Sequence, residues 1–400
     1  VAGEDRRREL RRCAGDRRPA AGADQADRHG GAVDSHPGAA ARAALRGRRR
    51  HAALPRHSPV PPVLPRRDFA QLRAARRQGG PPRGDGGRRH QLLRLRRRQA
   101  TRFEGGVAVG VTVHHGVADG RALWTFVEAW AAACRGETPA TTPCFDRSLV
   151  KLPGGEELAR SVVRKVAPNL PSVAPPSSLV EDRKRFTRRT FTLDAGDIQR
   201  LKQRIVHLGD SHGAPLPHSP STFTAVVALA WTCFARCKPF SPEDDAQLFF
   251  FADTRARLDP PVDVGYIGAC LTGLISKLPV PELRGDRALP AAASAVEDEI
   301  SKVKKDPIAG WNFLTLLTGA CLDRMMNISG SSGFRAYEVA DFGWGKPRRT
   351  EPITMNHDGQ VALMRSRDGQ GVQVSVSLLQ PAHMDAFKSS FLELLKWVRS

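Results

Sequence analysis

Residues 107–134 read VAVGVTVHHGVADGRALWTFVEAWAAAC, and this stretch decides the fold around it. Its first residues alternate valine with small or polar residues, which predicts a half-buried β-strand over 107–113. Apolar residues then recur at helical spacing, and Gly136 follows as a stop signal, so we expect a helix over 121–134. A turn that ends near Asp119 must join the two elements.

That turn carries a histidine, His115, and a carboxylate four residues later, Asp119, which Gly120 follows. A neutral imidazole is a base near working pH, so His115 is a candidate general base. The residues alone leave two alternatives open, a structural histidine with satisfied hydrogen bonds and a metal ligand. Asp119 has the position of a helix N-cap, and we interpret His114 as structural.

The positive charge of the chain is concentrated at one end. The formal net charge is +21, and residues 1–100 hold 26 arginines and 9 acidic residues, a net of +17, against 36 basic and 32 acidic residues afterwards. Residues 1–98 also lack Lys, Asn, Thr, Ile, Met, Tyr and Trp. This composition predicts GC-rich coding sequence read in the wrong frame. The alternative is an arginine-rich arm that binds RNA or membrane phosphates, although aromatic residues for base stacking are missing.

Length and composition indicate a globular protein of two domains, since it has 400 residues, 40% of them apolar. No apolar run approaches the roughly 20 residues of a membrane-spanning helix, and the first thirty residues have no apolar signal-peptide core. We therefore expect a cytoplasmic protein. Seven cysteines are scattered along the chain, and only Cys233 and Cys237 are close together, without a second pair that would complete a zinc site.

Beyond residue 134, helical and strand patterns alternate, which predicts an α/β architecture. The predicted helices are 156–166, 197–207, 223–236 and 382–398, and the predicted strands are 184–193, 247–252, 359–365 and 371–378. The proline-rich residues between the first helix and the first strand of this set predict a crossover linker.

Three motifs in order resemble those of the plant BAHD acyltransferases, which transfer an acyl group from acyl-coenzyme A to a hydroxyl or amine. His-x-x-x-Asp-Gly is at 115–120, and Asp-Phe-Gly-Trp-Gly is complete at 341–345. Between them, DTRARLDPP at 253–261 leads into YIGAC at 266–270. The resemblance covers roughly residues 100–400 and implies direct acyl transfer.

The resemblance implies an α/β, two-domain coenzyme A-dependent acyltransferase fold, similar to chloramphenicol acetyltransferase, with an incomplete N-terminal domain. Residues 1–98 have no counterpart in the family, and 99–167 are the remainder of the N-terminal domain. Residues 168–185 are the linker, and 186–400 form the C-terminal domain.

The wording of the middle motif is similar to Tyr-Phe-Gly-Asn-Cys of the anthocyanin and phenolic-glucoside malonyltransferases, from which 266–270 departs at two of five positions. This implies malonyl-CoA as co-substrate, a phenolic glucoside such as a flavonoid or anthocyanin glucoside as acceptor, and no permanently bound cofactor. It also implies a monomer with no nucleic-acid or membrane partner. The alternatives are an inactive remnant of such an enzyme and an arginine-rich nucleic-acid-binding protein.

The resemblance also implies roles for individual residues, with no metal ligand among them. His115 is the general base in a channel between two domains, and Asp119 beside Gly120 pairs with Arg255 or Arg257 to hold the loop. The residues on the motif or cofactor side are Asp341, Phe342, Gly343, Trp344, Gly345, Ser331, Ser221 and Thr222. For Trp344 a packed turn is favoured over a catalytic group, and Ser221 with Thr222 is also an ordinary helix cap.

Overall fold

A computed structural model describes most of the chain from residue 97 onward. The described residues are 97–152, 154–166, 185–308, 310, 322–352 and 357–399. Almost all of the predicted segment 1–98 and of the predicted linker 168–185 lies outside them, so the predicted domain boundaries stay predictions. All described residues fall in one compact unit. In these parts of the chain no helix is long and apolar enough to cross a membrane.

The described residues alternate between helices and strands, in agreement with the predicted α/β class. The strands are β1 (Arg97–Phe103), β2 (Gly106–Thr112), β3 (Thr187–Leu193), β4 (Asp245–Asp253), β5 (Leu271–Pro279), β6 (Met325–Gly330), β7 (Gln360–Arg365) and β8 (Val372–Leu378). The helices are α1 (Gly120–Cys134), α2 (Gly155–Val166), α3 (Ala195–Ser211), α4 (Thr222–Cys237), α5 (Val280–Arg284), α6 (Ala288–Lys305), α7 (Ala336–Val339) and α8 (Pro381–Arg399).

β1 and β2 form an antiparallel hairpin that leads into the turn before α1. The prediction that 107–113 is half-buried is wrong in its burial, because Val107 and Val109 are 52% and 41% exposed. In the described part of the chain β2 pairs with β1 alone. An alternating valine pattern reports that a strand has one apolar face, but it does not report what covers that face.

The larger sheet of the described residues has six strands in the order β3-β8-β7-β6-β4-β5. β4 pairs with β6 in parallel and with β5 in antiparallel register. Its consecutive residues Leu248, Phe249 and Phe250 are all buried, so both faces of the strand are covered, which explains its nearly continuous apolar sequence. β4 ends at Asp253, so its last residues reach the edge of the sheet where α1 begins.

A layer of helices covers one face of this sheet. α4 lies at its centre, and its apolar residues are buried on all sides, as expected for a helix between a sheet and other helices. Phe387 and Phe391 of α8 stack against Phe191 of β3 and close the core at the other edge of the sheet. The helices, with the aromatic residues of α8, therefore enclose the hydrophobic core on this face of the sheet.

Gly330 ends β6 with a φ of +80°, a conformation that favours glycine. A Cβ at this position would lie 2.2 Å from the carbonyl oxygen of Leu363, which belongs to the neighbouring strand. Gly136 has a similar φ of +76° but open space where a Cβ would stand. Alanine substitutions at the two glycines therefore distinguish the cost of backbone strain from the cost of steric overlap.

We predict that Gly136→Ala lowers the free energy of unfolding by about 1 kcal/mol, the cost of the left-handed conformation. Gly330→Ala is expected to cost about 1–3 kcal/mol more, because its methyl group must displace backbone of the sheet. Urea unfolding followed by circular dichroism measures both. Equal losses for the two variants would contradict the close approach of β6 and β7.

A second prediction concerns the dependence of stability on pH. Burial lowers the pKa of His357, with help from the nearby Lys238 and against the charges of Asp358 and Asp323. The unfolded chain binds the proton first, at about pH 6.5, so the stabilising contribution is present above that pH and is lost as pH falls below it. His357→Gln should flatten the decrease in unfolding free energy between about pH 7 and 5.

The same change at the exposed His212 is the control, and denaturant melts at several pH values provide the measurement. If His357→Gln leaves the pH profile as steep as in the unchanged protein, the buried imidazole is not responsible for it. His383, whose pKa burial also lowers, accounts for a remaining part of the slope.

Candidate active site

His115 lies in the turn between β2 and α1, and its side chain is exposed. Its ring centroid is 6.5 Å from that of Phe251, near the end of β4. The turn itself is closed by His114, whose Nδ1 accepts a hydrogen bond from the amide of Gly116 at 3.1 Å. His114 therefore supports the backbone of the turn, while the His115 ring is accessible.

Asp119 caps α1 and uses both carboxylate oxygens. Oδ1 accepts from the amide of Ala122 at 2.9 Å, the bond of a helix N-cap. Oδ2 accepts from the amide of Cys270 at 3.0 Å and lies 2.8 Å from Nη1 of Arg255. The side chain is buried, so its carboxylate faces protein groups and not solvent.

Arg255 is the partner of Asp119, and Arg257 is not. Only 1% of the Arg255 side chain is exposed, and its Nη2 donates to the carbonyl of Gly268 at 3.0 Å. Burial works to lower the pKa of this guanidinium, but the bonds and charges of Asp119 and Asp253 outweigh burial and raise it. Arg257 is exposed and donates to the carbonyl oxygen of Asp253.

The residues of the middle motif pack against the start of α1. The amide of Asp119 donates to the carbonyl of Gly268 at 3.2 Å, and Ile267 is buried against Ala118 and Ala122. Ile267 is one of the two positions that depart from the malonyltransferase motif, and it is a packing residue of the turn. The histidine turn and the middle motif form one structural unit.

Gly120, the first residue of α1, is close to the loop that precedes the third motif. A Cβ on Gly120 would lie 2.9 Å from the ring of Phe334. Phe334 and Trp124 of α1 both pack against the buried cluster of Ala336, Tyr337 and Met364. The hydroxyl of Ser331 in this loop accepts from the amide of Gly333 at 3.0 Å. Ser331 therefore shapes a loop that contacts the first turns of α1.

The third motif folds around Asp341. Its Oδ1 accepts from the amides of Gly343 and Gly345 at 2.9 and 3.0 Å, and both glycines have positive φ. Phe342 packs edge-on against Trp130 of α1 with ring centroids 4.7 Å apart. The prediction of a turn is correct, but the expectation that Trp344 is its packed aromatic is wrong, because Trp344 is 56% exposed. Phe342 is the aromatic residue that anchors the motif.

Ser221 and Thr222 stand at the start of α4. The Ser221 hydroxyl accepts from the amide of Thr224 at 3.0 Å, and Thr222 is the first residue of the helix. These bonds describe a helix cap, which was the alternative interpretation of the two residues. The structure brings His115, Asp119, Gly120 and Arg255 together at one end of α1 and the third motif to its other end.

Sequence reasoning missed two charged residues at this site, Asp253 and Arg121. Asp253 is the first residue of the middle motif, and Arg121 follows the first motif directly, so their places beside known motifs were the available signal. In the described residues no group of three or more potential ligands could hold a metal ion.

A family model described as the Transferase family matches residues 88–394. Phenolic glucoside malonyltransferase 2 of Arabidopsis thaliana is 30% identical over 307 residues, 72% of this chain and 64% of the relative. Agmatine coumaroyltransferase of the same plant is 29% identical over 315 residues, 73% of this chain and 66% of the relative. The chain thus spans just under two thirds of the length of these relatives.

Among solved structures, vinorine synthase is similar in fold, with a TM-score of 0.54 at 22% sequence identity. The likeness covers 74% of this chain and 65% of vinorine synthase. This similarity confirms the predicted α/β acyltransferase fold, and the division into two domains stays a prediction.

We predict that Asp119→Asn lowers the free energy of unfolding by about 3–5 kcal/mol, because it leaves the buried Arg255 without its closest counter-charge. Asparagine still offers an oxygen to the amide of Ala122, so loss of the cap does not dominate. Arg257→Gln, at an exposed position of the same segment, should change stability by less than about 0.5 kcal/mol. Chemical denaturation compares them, and a loss for Asp119→Asn as small as the control's would contradict a buried pair.

Proposed function

The chain belongs to the Transferase family, the BAHD acyltransferases, and from this premise we propose that it transfers an acyl group from acyl-coenzyme A to a hydroxyl of a glycosylated phenolic. The single observation that carries the proposal is the exposed imidazole of His115 in a turn that buried charges hold in place. Family membership supports acyl transfer, and the relatives' names support the malonyl donor and the phenolic glucoside acceptor.

His115 acts as the general base. An alcohol is a poor nucleophile until a base within hydrogen-bond reach removes its proton, and an imidazole can do so near neutral pH. The ring of His115 is accessible to a bound substrate, whereas Asp119 is buried and occupied by three donors. Asp119 is therefore a structural residue of the turn and not a second base.

The reaction proceeds in one complex of both substrates. The acceptor oxygen attacks the thioester carbonyl carbon while His115 takes the hydroxyl proton, which forms a C–O bond. The tetrahedral intermediate then collapses, the C–S bond breaks, and the imidazolium returns the proton to the thiolate of coenzyme A. The products are the ester and free coenzyme A, so atoms and charges balance.

No acyl-enzyme is needed, since a thioester is already activated. The buried cysteines support this route, because burial raises the pKa of Cys270 and raises that of Cys237 to about 12. A thiol nucleophile reacts as the thiolate, so these groups are poorly suited to attack. In the proposed route His115 is the protein side chain that takes and returns the proton.

The donor and acceptor within the class are also proposals. Phe251, 6.5 Å from His115 between ring centroids, offers an aromatic surface where a phenolic acceptor can stack. Malonyl-CoA is the proposed donor. The cytoplasmic location and the monomeric state stay predictions.

The test is release of coenzyme A by the full-length protein with malonyl-CoA and a panel of flavonoid and phenolic glucosides, with p-coumaroyl-CoA as the alternative donor. We predict acceptor-dependent release, which His115→Ala lowers by about 10²–10⁴-fold because the general base is lost. His218→Ala, a change at an exposed histidine outside the turn, is the matched control.

Product mass spectrometry identifies the acyl group that is transferred. A folded protein that releases no coenzyme A with any donor, or His115→Ala with full turnover, would contradict the proposal. Release with p-coumaroyl-CoA and not with malonyl-CoA would retain the mechanism and overturn the donor.

A further inference from the structure

Asp253 is the last residue of β4, and both of its carboxylate oxygens are engaged. Oδ1 accepts from the amide of Arg255 and from its Nη1, each at 3.0 Å. Oδ2 accepts from Nη1 of Arg121 at 2.9 Å. Burial works to raise the pKa of Asp253, but the bonds to Arg255 and Arg121 outweigh it and the pKa is lowered. The carboxylate is thus ionised and bridges two arginines.

The bridge joins the end of β4 to the beginning of α1 at two points. Asp119 is the N-cap of α1 and Arg121 is its second residue. Asp119 contacts Arg255, and Arg121 contacts Asp253, while Arg255 and Asp253 contact each other. The network contains two positive and two negative groups, so its net charge is zero.

Asp119 and the middle motif hold α1 at its N-cap. The pair of Arg121 with Asp253 adds a second charged contact, two residues further along the chain, to the same segment 253–255. Arg121 is 42% exposed, so its pair with Asp253 adds little by Coulomb attraction alone. The contribution of this pair is to fix the orientation of the start of α1.

The same strand end also contacts the His115 ring. Phe251 and Asp253 are two residues apart on β4, and side chains at this spacing lie on one face of a strand. Phe251 contacts His115 and Asp253 contacts the start of α1. One face of one strand therefore meets both ends of the turn that carries the imidazole.

We infer that Asp253 is a positioning residue for His115, and that its bridge to Arg121 sets the direction in which the imidazole points. The inference rests on the proposed function for its kinetic consequence and on the structure alone for its effect on the ring. Asp253 touches no reacting atom and acts through the turn.

The experiment compares Asp253→Asn with Asp244→Asn, at the other end of β4. The two carboxylates are 28% and 30% exposed, and each accepts a backbone amide. Asp253 pairs with Arg121 and Arg255, and Asp244 pairs with Arg324. Asp244 lies far from the turn along the strand, so its variant loses an ion pair without loosening α1, and Arg121→Gln separates the bridge to α1 from the pair with Arg255.

For Asp253→Asn we expect kcat to fall by about tenfold or more, since small misplacements of a reacting group cost large factors in rate. The KM for acyl-CoA should stay within about twofold, because loosening the turn removes no proposed contact with the donor. Arg121→Gln should show the same split, and the double variant should be no slower than the slower single variant, because both changes break one bridge.

A second measurement does not depend on turnover. The imidazole resonances of His115, assigned by their loss in His115→Gln, should shift or broaden in Asp253→Asn and stay unchanged in Asp244→Asn. If Asp253→Asn resembles Asp244→Asn in both kcat and the His115 resonances, the inference is overturned.

The two proposals fail separately. A folded wild-type protein that releases no coenzyme A, with His115 resonances that still respond to Asp253→Asn, would reject the proposed function and retain the positioning role. Normal turnover and unchanged His115 resonances in both Asp253→Asn and Asp244→Asn would reject the positioning role and retain the proposed function. No turnover and no response of the resonances would reject both.

Discussion

The site depends on one buried ion pair between Asp119 and Arg255. Both side chains are almost fully buried, and such a pair is costly unless every remaining polar atom is satisfied. Asp119 meets this condition with the amides of Ala122 and Cys270, and Arg255 does so in part through the carbonyl of Gly268. The pair therefore ties the start of α1 to Arg255 and to residues 268–270, which are far from it in sequence, and the histidine turn takes its shape from these contacts.

Charged groups and aromatic groups hold opposite ends of α1. Hydrogen bonds and ion pairs set where α1 begins, while aromatic packing holds its other end, where Trp130 meets Phe342. The glycines around Phe342 allow the tight turn on Asp341 that presents this ring. Neither end of α1 is fixed by the hydrophobic effect alone, which has no directional preference. Directional contacts are what a base in a defined place requires.

Much of the architecture was predictable from sequence because its signals are local. The helix after the histidine turn and α4 have strong helical periodicity and hydroxyl or carboxylate caps, and both begin within one residue of the predicted position. β1, β5, β6, α5, α6 and α7 went unpredicted. β5 contains Gly273 and ends at a proline, and α6 is rich in alanine with a proline in its first turn, so neither has a clear periodic pattern.

The site was predictable from sequence only as far as its motifs reach. The resemblance to the family implied that Asp119 pairs with Arg255 or Arg257, but sequence spacing could not choose between two arginines separated by one residue. The choice depends on a short 3₁₀ turn that buries Arg255 and leaves Arg257 exposed. The bridge from Asp253 to Arg121 spans 132 positions and has no local signal at all. The exposure of Val107 could not be predicted either, because an alternating pattern shows that a strand has an apolar face but not whether other residues bury it.

The proposed chemistry is that a single imidazole, held by buried charges, assists direct attack on a thioester. Its most direct test is intact-protein mass spectrometry, with simultaneous measurement of free coenzyme A, after mixing the full-length protein with malonyl-CoA in the absence and presence of an acceptor. The account predicts no gain in protein mass and no coenzyme A release until the acceptor is added. A stoichiometric burst of coenzyme A with an acylated protein in the absence of acceptor would contradict it.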